Sequence, residues 1–107
     1  MAEARLKTHI QVTALMRRAQ GAGAFAHVAR KGDPDAGAVA VKVFVGEARA
    51  RLFMQSRDLD GAAVWRETFD GPQAENDVDA RLTKERRVDP DLWIVEIEDK
   101  EGRSFLE

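Results

Sequence analysis

Four valines stand at every second position, Val39, Val41, Val43 and Val45, and a Gly46-Glu47 step follows them. Successive side chains of an extended strand point to alternate faces, so this spacing puts all four valines on one side. Gly46-Glu47 has the form of a two-residue hairpin loop with glycine in the first left-handed position. A hairpin closed there places Val45 opposite Ala48, Val43 opposite Ala50, Val41 opposite Leu52 and Val39 opposite Met54. Each of those pairs is apolar. The other face carries Phe44 opposite Arg49, Lys42 opposite Arg51 and Ala40 opposite Phe53. A slip of one residue would mix the two sets.

The rest of the chain builds outward from that hairpin. Leu6–Val12 alternates in part and reads as a short strand, with one longer helix from Thr8 as the alternative. Thr13 is placed to cap a helix over residues 14–20, which Gly21 and Gly23 would end. Phe25–Arg30 reads as a strand and Lys31–Gly37 as a turn-rich loop. After the hairpin, a turn over Arg57–Gly61 leads to a strand at Ala63–Phe69. Asn76 can cap a helix over Asp77–Arg87, with Asp79 as its reciprocal partner, and Asp89-Pro90 stops that helix. Leu92–Glu98 is a strand carrying Trp93, Val95 and Ile97 on one face, and Arg103–Leu106 can return as the last strand. The expected fold is α+β: an antiparallel sheet of about five or six strands, with two short helices packed on one face. The 107 residues read as a single domain, 1–107.

Composition narrows the function classes. The net charge is −2, from 17 basic and 19 acidic residues that are interspersed along the chain. No global field gathers nucleic acid or anionic lipid, so nucleic acid is an unlikely partner. No apolar run approaches the ~20 residues that span a bilayer. The chain has no cysteine, which removes disulfides, thiolate nucleophiles and cysteine-bound zinc. With no secretory pattern at the start, the expected location is the cytoplasm.

Few residues offer chemistry. Four Asp-x-Asp pairs recur: Asp33/Asp35, Asp58/Asp60, Asp77/Asp79 and Asp89/Asp91. Paired carboxylates can share a hard divalent cation. Each pair also sits where a turn, a helix start or a helix stop wants an aspartate, and that is the preferred reading. His9 and His27 are the only imidazoles, and their spacing supplies no catalytic partner. There is no Gly-x-Ser-x-Gly elbow and no phosphate-binding glycine motif. No catalytic residue and no cofactor are expected. Lys42, Phe44, Arg49, Arg51 and Phe53 form a basic-aromatic set on one expected face of the hairpin, a composition enriched at protein interfaces.

Three blocks carry a resemblance: residues 24–39 (Ala24-Phe25-Ala26-His27 through Asp33-Pro34-Asp35-Ala36-Gly37-Ala38-Val39), residues 56–66 (Ser56-Arg57-Asp58-Leu59-Asp60-Gly61 with Val64-Trp65-Arg66) and residues 89–103 (Asp89-Pro90-Asp91-Leu92-Trp93 through Gly102-Arg103). In this order they resemble the short alphaproteobacterial proteins grouped as domain of unknown function 1491, from about Leu6 to Leu106. The resemblance implies a bacterial cytoplasmic protein and assigns no activity. Two function classes follow from the residues. The leading one is a non-catalytic protein-interaction or accessory module, using an unidentified protein partner or self-association. The alternative is a divalent-metal-dependent enzyme or small-ligand-binding protein using Asp33, Asp35, Asp58 and Asp60.

Overall fold

The computed structural model describes residues 6–57, 59–60 and 63–106. In chain order the elements are α1 (Thr8–Gly21), β1 (Phe25–Arg30), β2 (Val39–Gly46), β3 (Arg49–Arg57), β4 (Ala63–Glu67), β5 (Gln73–Ala74), α2 (Glu75–Val88) and β6 (Trp93–Glu98). The fold is α+β, as expected. The strands form one six-stranded sheet in the order β1-β6-β2-β3-β4, with the short β5 also paired to β3. The sheet is mostly antiparallel, but β6 returns between β1 and β2 and runs parallel to β2.

That insertion decides the layering. The two central strands carry apolar side chains on both faces, so neither side can be left wholly to water. On one side Val39, Val41, Val43, Trp93, Val95 and Ile97 bury against Val12, Leu15 and Ala19 of α1. On the other, Ala40, Leu52, Leu92 and Ile94 bury against Val78 and Leu82 of α2. The helices therefore cover opposite faces, not one. Phe105 and Leu106 complete the α1 layer by packing on its cluster. Residues 103–106 form no strand: Phe105 takes a left-handed φ of 60°. Arg18 Nε donates to the Phe105 carbonyl and Arg51 Nη1 to that of Gly102.

Both helices start earlier than their side-chain signals suggest. Leu6–Val12 is not a strand, because α1 already runs from Thr8. Thr13 lies inside it, its hydroxyl donating to the His9 carbonyl. Neither helix has a side-chain cap. The backbone N–H groups of Thr8 and His9 donate instead to the carbonyls of Asp35 and Pro34, at 3.2 and 3.0 Å. The N–H of Glu75, the first residue of α2, donates to Ala48 in the central hairpin at 2.8 Å. Loop carbonyls from elsewhere in the fold do what Thr13 and Asn76 were expected to do.

The hairpin also closes one residue later than Gly46-Glu47. Glu47 and Ala48 both have positive φ, 54° and 56°, the signature of a type I′ turn, and Gly46 (φ 96°) falls in a bulge before it. The register becomes Ala40 to Met54, Val41 to Phe53, Lys42 to Leu52, Val43 to Arg51 and Phe44 to Ala50. A slip is costly only when one face must be polar and the other apolar. Here a helix covers each face, so the alternation of β2 does not choose between the two registers.

Candidate interaction face

The shifted register divides the basic-aromatic set. Lys42 and Phe44 point to the α2 side, while Arg51 and Phe53 lie opposite Val43 and Val41 on the α1 side. These five residues do not make one face. Arg49 is turned to the loop before β5, its Nη2 donating to Pro72 O at 2.7 Å. The Arg51 guanidinium stacks over the Phe53 ring at 4.8 Å. It grips both carboxylate oxygens of Glu67, at 2.7 and 2.8 Å. That pair raises the Arg51 pKa and holds Glu67 below the ordinary carboxylate range. Its charge is satisfied within the molecule.

The aspartates do local work. Asp33 Oδ2 accepts the N–H groups of Asp35 and Ala36, and the Asp33 backbone bonds Asp91 and the Trp93 indole N–H. Asp35 pairs with Lys7 at 3.7 Å in solvent, and Asp89 Oδ1 accepts the Asp91 N–H. Asp58 lies outside the described residues, so its pairing with Asp60 is not seen. Among the described residues, no three of His, Asp and Glu gather as metal ligands would.

The α2 side of the sheet carries a different cluster. Reading straight across the strands, one row runs His27, Glu96, Lys42, Leu52, and the next runs Phe25, Glu98, Phe44, Ala50. At the covered end of the first row, Lys42 is 3% exposed, its Nζ 2.8 Å from Glu75 and 2.7 Å from Asp79 of α2. Burial alone would lower its pKa. The bonds to Asp79 and Glu75 and the nearby Glu96 charge outweigh that and leave it raised above 10.5. Lys42 is therefore held as an ammonium, which suits it to anchor α2 and not to act as base or nucleophile.

Beyond Lys42 the rows run out from under α2. Phe25 is 63% exposed, with its ring edge-on to His27 at 6.3 Å. His27 and Glu98 are exposed, and Glu96 is half-buried. β1 is also an outer strand of the sheet, paired among the described residues with β6 alone. An aromatic ring, an imidazole and two carboxylates thus flank a strand edge whose backbone groups can pair with another strand. Phe25 and His27 alternate with small Ala26 and Val28, the pattern of a strand with one open face, which the sequence shows without marking it as a site.

A groove of about 170 Å³ lies on the α1 side between the helix and β4, lined by Leu6, Val12, Leu15, Val39, Trp65 and Leu106. It is well below the roughly 300–1,000 Å³ of ligand clefts. Its polar neighbours Gln11 and Arg18 are bonded to the carbonyls of Leu6 and Phe105. Among the described residues no set of polar groups converges on it.

The model of a family described as protein of unknown function, DUF1491, matches residues 6–107. The chain belongs to the DUF1491 family. The resemblance carried by the three sequence blocks is borne out. A crystal structure of a DUF1491 family protein from Caulobacter crescentus is 50% identical, covers 95% of each chain and gives a TM-score of 0.86. An NMR structure of a DUF1491 family protein from the same organism is 50% identical, covers 97% of this chain and 94% of its own, and also gives 0.86. The solution structure of a protein from A. tumefaciens is 33% identical over 96% of this chain and 93% of its own, with a TM-score of 0.82. No curated protein matches the sequence. DUF1491 membership thus ties the chain to bacterial relatives of the same fold and assigns it no activity. No helix among the described residues is long and apolar enough to cross a membrane.

Proposed function

We propose that this DUF1491 protein is a non-catalytic interaction or accessory module that takes its protein partner at β1 and on the open rows beside it. The observation that carries the reading is Phe25, a large aromatic 63% exposed on an outer strand, next to exposed His27 and Glu98. Aromatic side chains are the residues interfaces bury most often at their centres. An unpaired strand edge supplies main-chain hydrogen bonds to any chain that adds to it. The ionisable groups nearby support binding over catalysis, because Lys42 is committed to its ion pairs.

The reading is tested by placing a photo-cross-linking phenylalanine analogue at position 25, with position 88 as control, in protein expressed in living cells. Val88 is 82% exposed on the far end of α2. Position 25 is expected to give discrete protein adducts that position 88 does not. Equal adducts from both positions, or none from position 25, would overturn the reading.

A further inference from the structure

We infer that the partner seated on β1 is a second copy of this chain, whose own β1 pairs antiparallel across a two-fold axis at His27. The inference rests on the interaction reading above and names its partner.

Directly opposed residues in an antiparallel pair point to the same face, so a self-pairing must keep each side chain on its own side. β1 has a bulge between Val28 and Arg30 that brings Arg30 opposite Ile94, in the covered layer on the α2 side. Arg30 therefore joins Phe25 and His27 on that face. With the axis at His27, the partner's Arg30 comes opposite Phe25, and Ala26 comes opposite the partner's Val28. The row then reads Glu98, Phe25, the partner's Arg30, the partner's Ile94, and its symmetry mate runs the other way. A guanidinium arrives over an exposed ring whose neighbour on β6 is a carboxylate, a favourable setting for a cation–π contact. On the axis the two His27 rings meet, each backed by its own Glu96.

The charges are self-complementary. Each copy offers Glu98 on β6 and presents Arg30 on β1. On the α1 side the opposed residues are small, Ala26 and Val28. The Gln20 side-chain amide of α1, which donates to the Ala26 carbonyl at 3.4 Å, has to give up that bond when the strands pair. A single pair of six-residue strands is a small interface, so association in the roughly micromolar range is expected.

The chain contains no cysteine, so single thiols report on the register. Under mild oxidation, His27→Cys is expected to form a covalent dimer at least about tenfold faster than Lys84→Cys on the exposed side of α2, because the two-fold raises its effective concentration. Phe25→Cys and Arg30→Cys should each cross-link slowly alone and rapidly when mixed. Sedimentation equilibrium of the unmodified protein should show the mass rising from 11.9 kDa towards its double. Arg30→Glu should weaken that association about tenfold or more, with unchanged amide spectra of the monomer. A monomer at about 1 mM, a concentration far above a micromolar constant, would overturn self-pairing. So would a His27→Cys rate equal to that of Lys84→Cys. Adducts at position 25 of a mass other than a dimer would then leave the interaction reading standing without the second copy.

Discussion

The ion cluster that ties α2 to the sheet is unequal in its burial, and an unequal response to substitution follows. Lys42 is 3% exposed, whereas Glu75 is 33% and Asp79 51% exposed. Lys42→Met removes the one deeply buried charge and leaves two carboxylates that already reach water. Met fills the channel of the lysine stem beside Leu52, so the cost should be about 1 kcal/mol or less. Glu75→Ala with Asp79→Ala does the reverse. It strands a buried ammonium with only Glu96 nearby, and breaking a buried pair from that side costs about 3–5 kcal/mol. In a chain of this size that is a fall in Tm of roughly 12 °C or more. The triple variant, with Lys42→Met added to the alanine pair, should recover most of the loss, because the stranded charge is gone. Urea unfolding of the four proteins at pH 7 measures all three differences. A triple variant no more stable than the alanine pair would refute the reasoning, since the damage would then lie in α2 itself. The pH choice matters. The Lys42 pKa is raised by folding, so its contribution is complete below 10.5 and fades only as pH rises through the higher folded-state value.

Two further outcomes follow from the same structure. A methyl group on Gly32 would collide with the Asp91 carbonyl oxygen and come within 2.7 Å of Trp93 Cδ1. Gly32→Ala should therefore cost about 2–4 kcal/mol in denaturant unfolding. Gly21→Ala, with nothing within 4 Å, should be neutral or slightly stabilising, and equal losses at the two sites would contradict the close approach. Glu67 is lowered from 4.5 by its bonds to Arg51, and Asp99 from 3.8 by Arg103. Their stabilisation is present above those ordinary values and is lost as pH falls through the lower folded-state ones. Glu67→Gln should flatten the acid limb of a plot of urea midpoint against pH below about 4.5, and an unchanged limb would show that the pair contributes nothing.

Much of the secondary structure was legible from local pattern. The alternation of Val39–Val45 announced β2, Trp93, Val95 and Ile97 announced β6, and Asp89-Pro90 ended α2 at Val88 as the chemistry of proline requires. Asp33 was recognisable as a turn former because its carboxylate reaches N–H groups only two and three residues away. Helix starts were only partly legible: the longer helix from Thr8, the alternative to a strand at Leu6–Val12, is the one that forms. Thr13 and Asn76 are good capping residues, but the N–H groups of Thr8 and Glu75 found the carbonyls of Asp35 and Ala48 at greater chain distance.

The sequence by itself determined that this chain makes an α+β fold and that the segments of β1, β2 and β6 extend, because period-two apolar spacing and turn chemistry act over a few residues. Its three blocks also marked the DUF1491 family. Tertiary structure alone decided that β6 slips in beside β2, that the helices take opposite faces, and that the hairpin closes at Glu47-Ala48. A strand apolar on both faces carries no local mark of its register or of which helix will cover which side. Those choices come from the packing of residues far apart in the chain. They sent Lys42 under α2 and Arg51 to Glu67, and left Phe25 and His27 at the open edge.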